Sequence, residues 1–238
     1  MIKITFTIII FSLFSITAFG QFGDNNIGIG LNAVYTTSAQ IFLNPNASNL
    51  EIRNKAYTLE NIWSPGLDLR YKFAEEFLVG LNVEYINKTA NAPNLTAFIG
   101  NQVFVLEVED GFRVIPIELT FYYYFPFSTE DFKFQMGGGL GYYYGQFVRE
   151  FNDVDLEVVH RNIAVGIQVS ASMDYIIHKY LSARFEMKFR DPQYTVKSKY
   201  NKTETTFQGN IIQLPEDAFE TKVDIDGLTF ILGLVLNI

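Results

Sequence analysis

The residues able to do chemistry are few. The 238-residue chain has two His and no Cys, so it offers no thiolate nucleophile, no redox pair and no cysteine-based metal site. His160 lies among Val158, Val159, Arg161 and Asn162, and His178 between Ile177 and Lys179. A catalytic His needs a nucleophile or a substrate proton within hydrogen-bond reach, and no Ser stands within two residues of His160. Phosphate-loop, dinucleotide and zinc-helix motifs are absent. Asn46, Asn87, Asn94 and Asn201 each begin an Asn-x-Ser/Thr triplet, a pattern common by chance in loops rich in Asn and Thr. No catalytic residue, cofactor-binding residue or metal ligand is therefore assigned. One charged pattern stands out: Arg184, Glu186, Lys188 and Arg190 alternate along a single segment. Such a ladder reads either as the lining of an anion pore or as an ion-paired plug.

The elements that would hold this ladder have a period of two. From Ile27 to Tyr35 the odd positions are apolar, apart from the small Ala33, and alternate with Gly28, Gly30, Asn32 and Val34. The same alternation runs over 67–73, 77–85, 115–125, 132–144, 163–175, 181–189 and 228–238, which makes eight strands. Their apolar faces hold 45 positions without a charge, where the chain-wide 18% charged residues would place about eight. The opposite faces carry Arg70, Lys72, Lys133, Arg184, Lys188 and Arg190 against Asp68, Glu84, Glu118, Asp174 and Glu186. They are nearly balanced in a chain of net charge -8. That acidity disfavours nucleic acid, whose phosphates it would repel.

Two architectures have one apolar and one polar face. A soluble sandwich or lipocalin-like barrel keeps the apolar face inside, whereas a transmembrane barrel turns it to lipid. Balanced charges suit a narrow lumen in which buried ions must find partners, and a solvated face would share the acidic excess. Gly137, Gly139, Gly141 and Gly145 fall on the polar face, where a tightly curved wall leaves little room. Connections at 74–76, 126–131 and 176–179 are short and alternate with long ones, as tight periplasmic turns alternate with long external loops. Tyr71, Phe73, Phe77, Phe125, Phe132 and Tyr175 then form a periplasmic girdle, and Tyr35, Tyr85, Tyr144 and Phe189 an outer one. Val103–Val108, followed by a hairpin turn at Asp110-Gly111, is too short to span and extends the wall above the membrane.

Residues 1–20 read as a signal peptide: Lys3, an apolar run from Ile4 to Phe14, and small residues at Ala18 and Gly20 before a cut at Gln21. Residues 21–238 then form one domain, an all-β, eight-stranded antiparallel transmembrane up-and-down barrel in the outer membrane.

Val114-Ile115-Pro116-Ile117-Glu118-Leu119-Thr120-Phe121-Tyr122-Tyr123-Tyr124-Phe125, together with Gly28–Asn32 and the strand from Tyr180 to Arg190, resembles the Bacteroidota-type outer-membrane β-barrel domain family of small OmpA/OmpX-like barrels. The end of the chain, Gly233–Ile238, looks like the signal read by the barrel-insertion machinery, although it closes on Ile and carries Ile231 where a polar residue is common. The resemblance implies location and fold, and leaves the task open. The expected task is that of a non-enzymatic, monomeric envelope-structural or surface-interaction scaffold with a side-chain-filled lumen. Its partners would be outer-membrane lipid and lipopolysaccharide, the insertion machinery and an envelope or surface protein, with no cofactor. The alternatives are a lipid A-modifying enzyme using His160 and an accessory barrel of an export machine.

Overall fold

The computed structural model describes residues 26–99, 102–207 and 209–238. The expected signal peptide lies outside the described residues. Among the described residues are fourteen strands and one short helix. They are β1 (Ile27–Phe42), α1 (Leu50–Arg53), β2 (Ala56–Lys72), β3 (Phe77–Glu84), β4 (Ile86–Ile99), β5 (Gln102–Tyr124), β6 (Phe132–Glu150) and β7 (Leu156–Arg161). They continue as β8 (Ala164–His178), β9 (Leu181–Arg190), β10 (Gln193–Tyr200), β11 (Glu204–Phe207), β12 (Asn210–Gln213), β13 (Phe219–Asp224) and β14 (Leu228–Asn237).

Eight of these strands close a ring of antiparallel ladders, β1-β2-β3-β5-β6-β8-β9-β14 and back to β1. Closure leaves no unpaired edge at this level, which is what a membrane demands of strands. These are the eight strands that the alternation predicts, and the three short connections lie together at one end. Several strands run much further than expected, because the apolar alternation stops before the hydrogen bonding does. Residues 36–42 and 56–66, read as loop, continue β1 and β2 in register, with Phe42 opposite Ala56.

β5 shows why the boundary was hidden. Every second residue from Leu106 to Tyr122 is buried without a break, but the residue types exchange at Val114. Below that level the inward side chains are Pro116, Glu118, Thr120 and Tyr122, and the outward ones Ile115, Ile117, Leu119 and Phe121. Above it Leu106, Val108, Phe112 and Val114 point inward, while Arg113, Glu109 and Glu107 point outward. The period is constant, and the surrounding medium changes from lipid to water. Val103–Val108 is indeed a wall extension. Asp110-Gly111 is not the hairpin turn expected: Gly111 lies mid-strand opposite Thr89, and the strands β4 and β5 pair as far as Ile99 and Gln102.

The upper storey is not a closed barrel. Among the described residues no ladder joins the upper half of β2 to β4, or Gly145–Glu150 of β6 to β7. The wall therefore divides into a β12-β4-β5-β6 sheet and a β2-β1-β13-β10-β7 sheet. They face one another across Ile41, Leu59, Ile62, Phe112, Val114, Phe147, Val196 and Val223, all buried. A second cluster with Leu106, Val108, Phe151, Tyr200 and Ile212 lies beyond. One polar tie crosses it. Arg149 of β6 grips Asp110 of β5 with Nε–Oδ1 2.6 Å and Nη2–Oδ2 2.7 Å, and gives Nη1 to the Tyr200 hydroxyl of β10 at 2.9 Å. Burial works against the Arg149 charge, and the Asp110 carboxylate more than offsets it. In β2 the inward face changes phase at Asn61, whose φ is 55°. Asn tolerates this left-handed conformation, and its Oδ1 accepts from Tyr35 Oη at 2.8 Å. Ile62 and Leu59 both point inward as a result.

Asp224, at the end of β13, is the weak point of this storey. Its Oδ2 accepts from Gln193 Nε2 at 2.7 Å, but its Oδ1 is buried with no partner among the described residues. Burial raises its pKa, and the nearby Asp226 and Asp191 add to the effect against Lys222. A carboxyl whose folded pKa is raised contributes stability only while protonated. The contribution is present below the unfolded value, about 3.9, and is lost as pH rises through the folded one. Asp224→Asn is therefore expected to stabilise the external sheets at pH 7 by on the order of 1 kcal/mol and to flatten their acid-side pH profile. Melting in detergent across pH 4–7 checks this, and an unchanged or lower midpoint at neutral pH would count against it.

Candidate functional site

The lumen of the closed ring is where the charged residues meet. Its wall is made of inward positions, so each ionisable side chain is placed there by strand parity alone. With eight strands the interior is just wide enough for side chains. Arg190 and Glu118 are fully buried, and Asp68, Arg70, Glu84, Asp174, Arg184, Glu186 and Lys188 are nearly so.

These groups form two layers. In the layer nearer the three short connections Asp68 of β2 accepts from Arg70 Nε at 3.2 Å and from Arg184 Nη1 at 2.6 Å. Arg184 also holds Asp174 of β8 through Nε–Oδ1 at 2.6 Å and Nη2–Oδ2 at 2.7 Å. Arg70 closes the layer with Glu186, gives Nη1 to Gln135 Oε1 at 2.7 Å, and stacks 3.9 Å from the ring centre of Tyr122. In the outer layer Glu118 of β5 accepts from Lys188 Nζ at 2.7 Å, Arg190 Nη1 at 3.4 Å and the Tyr143 hydroxyl at 2.8 Å. Arg190 reaches Glu84 at 2.7 Å, and Ser64 caps that carboxylate at 2.5 Å. Tyr143 marks the ceiling, since its ring belongs to the apolar cluster above.

The ladder Arg184, Glu186, Lys188, Arg190 is thus paired at every rung, with partners on β2, β3, β5 and β8. Lys72 and Lys133, also assigned to the polar face, stand at the end with the short connections and join no ion pair among the described residues. The inward glycines make room as expected: a Cβ at Gly137 would meet the Tyr122 ring, at Gly141 Tyr143, and at Gly145 Tyr194. Gln135, Gln168 and Tyr143 stand on the polar face that the alternation gives, but sequence reasoning assigned them no part in the network, and Thr36 lies beyond the expected strand. The inward parity of the first three was available, but their types carried no signal.

Outside the ring the pattern is reversed. Leu31 is 65% exposed and Ile167 69%, in a continuous belt with Leu67, Leu119, Phe121, Leu140, Phe185 and Leu234. At its lower margin Phe73, Phe77, Tyr123, Phe125, Phe127 and Phe134 touch ring to ring, with centroids 5.0–6.2 Å apart. At its upper margin Tyr35 packs on Trp63 at 5.0 Å, and Tyr85, Tyr144 and Phe189 are exposed at the same level. An apolar belt of this extent with aromatic margins matches a bilayer and has no place in water.

The fold is that of a small outer-membrane β-barrel. The solved outer membrane protein OprG of Pseudomonas aeruginosa superposes with a TM-score of 0.57 at 18% identity, over 90% of this chain and 96% of that one. Neisserial surface protein A gives a TM-score of 0.47 at 11% identity, over 89% and 97% of the two chains. Ail, the attachment invasion locus protein of Yersinia pestis, gives 0.45 at 9%, over 90% and 99%. No protein-family model matches the sequence, and no curated protein matches it.

His160 Nε2 shares a hydrogen bond with Asn162 Oδ1 at 3.1 Å on an exposed strand, and the His178 ring lies beside Tyr180 at the end with the short connections. Among the described residues no three of His, Asp and Glu are placed to hold a metal ion. Three of the four Asn-x-Ser/Thr asparagines have side-chain work: Asn46 donates to Glu220, Asn94 to Asp110, and Asn201 accepts from the Asp155 amide.

Proposed function

We propose that the chain is a non-enzymatic protein of the outer membrane. In this reading it is a monomeric barrel of the Bacteroidota-type family that serves as an envelope-structural or surface-interaction scaffold. The observation that carries this is the combination of a lipid-type belt outside and a crowded lumen inside, in which each of the nine buried ionisable groups has an ion-pair partner. A lumen whose buried cations and carboxylates are already ion-paired offers a permeating ion little space and no free counter-charge. Above the membrane, the two facing sheets spend their inward faces on an apolar core and turn Lys, Glu, Asn and Thr outward. That is the construction of a rigid platform for loops. His160 has Asn162 as its hydrogen-bond partner, which supports the non-enzymatic reading over lipid A modification. Gly233–Asn237 forms the second half of the last ring strand and would present the insertion machinery with its signal.

Planar-bilayer recording of the purified protein tests the sealed lumen. The expected result is no conductance steps above baseline, in contrast to an open channel; regular ohmic steps would overturn it. Fractionation of cells tests the location, with recovery expected in the outer-membrane fraction only.

A further inference from the structure

Immediately above the apolar belt, one sector of the wall is basic. The first outward side chains of β5, β6 and β7 above the belt are Arg113, Gln146 and Arg161, next above Ile115, Tyr144 and Ile163. Arg113 stands directly opposite Gln146 in the β5–β6 ladder. Arg161 reaches the same Gln146, giving Nη2 to its Oε1 at 3.0 Å and Nη1 to the Tyr144 hydroxyl at 2.7 Å. Its guanidinium lies 4.6 Å from the Tyr144 ring centre. His160 is adjacent, and Lys197 stands exposed and opposite it in the β7–β10 ladder. Further round the ring, the same level carries Asp191 and Asp226 instead.

This sector coincides with the seam where β6 and β7 part. A cavity of about 330 Å³ opens there, lined by Tyr142, Tyr144, His160, Arg161, Asn162 and Ile163 among others. The Nε donors of Arg113 and Arg161 are buried and have no partner among the described residues. Below the cavity the wall is apolar and bare: Ile163 is 81% exposed and Val165 62%.

We infer that this cleft binds the phosphate of an anionic outer-leaflet lipid, whose acyl chains lie down the wall along Ile163, Val165 and Tyr142. The inference rests on the membrane reading proposed above. Guanidinium groups present paired donors that match phosphate oxygens, and the two Nη groups of Arg161, which lines the cleft, make one hydrogen bond each and keep a second N–H apiece. Basic side chains at a bilayer surface draw acidic lipids, and a chain of net charge -8 does not place them there by composition. The exposed apolar strip beneath selects a lipid over a free anion.

Native mass spectrometry of the detergent-purified barrel tests this. It is titrated with a phosphorylated lipid A-type lipid, its dephosphorylated counterpart, phosphatidylcholine and inorganic phosphate. The phosphorylated lipid is expected to bind about tenfold tighter than the other lipids, and Arg161→Ala to lose about tenfold of that affinity. Arg161→Lys is expected to keep part of it, and Asp191→Asn, outside the sector, all of it. Because Arg161 also ties the seam, Lys197→Ala serves as a second variant, with an expected loss of a few-fold and no effect on folding. Equal binding of phosphorylated and dephosphorylated lipid, unchanged affinity in Arg161→Ala and Lys197→Ala, or displacement of lipid by equimolar inorganic phosphate would each overturn the site. Those outcomes would leave outer-membrane recovery of the wild type untouched, whereas failure of the membrane reading would abolish it.

Discussion

Glu118→Ala is expected to destabilise the barrel by about 3–5 kcal/mol, the cost of stranding a buried charge whose partner has been removed. Glu118 takes three donors, from Lys188, Arg190 and Tyr143. Arg190 would keep Glu84 at 2.7 Å. Lys188 would keep no carboxylate within ion-pair distance, and its side chain is 1% exposed. The penalty is therefore that of one dry, unpaired ammonium, and a second change that removes the ammonium should recover most of it. Glu118→Ala/Lys188→Met is expected to lie within about 1–2 kcal/mol of the wild type, since replacing a buried pair by apolar groups is often near neutral. Denaturant unfolding in micelles, followed by β-sheet circular dichroism, measures both. A single variant as stable as the wild type, or a double variant no better than the single, would refute the pairing.

Gly139→Val is expected to prevent assembly almost completely, while Gly137→Ala is tolerated with a loss of about 1–2 kcal/mol. Both glycines point into the lumen from β6, two residues apart, and they differ in what a side chain would strike. At Gly139 a Cβ lands on the carbonyl oxygen of Leu119 and near the Cα of Thr120, which is the backbone of the neighbouring strand. Nothing there can turn aside without breaking the β5–β6 ladder. At Gly137 the Cβ meets the ring of Tyr122 and the methyl of Thr120, and side chains can shift at the cost of the Arg70–Tyr122 stacking. The shift in gel mobility between heated and unheated samples reports the folded fraction. Wild-type levels of folded Gly139→Val would show that the approach of β5 to β6 is looser than described.

The seams of the upper storey give these two results a context. Inside the bilayer, every strand is hydrogen-bonded on both sides, because lipid offers no substitute for a lost ladder. Above it, water can satisfy an open edge, so the wall can part between β6 and β7, with side chains such as Arg161 spanning the gap. The apolar core between the two sheets then holds the storey together in place of continuous hydrogen bonding. The lipid cleft inferred above lies at the junction of the two regimes.

The ring of eight strands was legible in the residues because its cause is local. A strand with lipid on one side and a crowded lumen on the other must alternate, and Phe132 to Tyr144 or Ile163 to Tyr175 carry that alternation whatever they pair with. The inward glycines of β6 and the balance of inward charges were readable for the same reason. The long extensions of β1, β2, β5 and β6 were not, since above Val114 the alternation keeps its period while lipid is replaced by water outside. A segment such as 56–66 then reads as a polar loop, although Leu59 and Ile62 are buried. Asp110-Gly111 has the composition of a turn, and only pairing with Ala90 and Thr89 makes it strand.

The sequence by itself determined which residues face the lumen, because parity along a strand is a property of the chain. Only the tertiary structure decided which carboxylate meets which cation. Arg184 finds Asp68, and Arg70 finds Glu186, across 116 residues in each case. Those meetings depend on the stagger of the closed ring, which no single strand encodes. The same stagger brings Arg113 and Arg161 to one Gln146, and so creates a basic sector on an acidic protein.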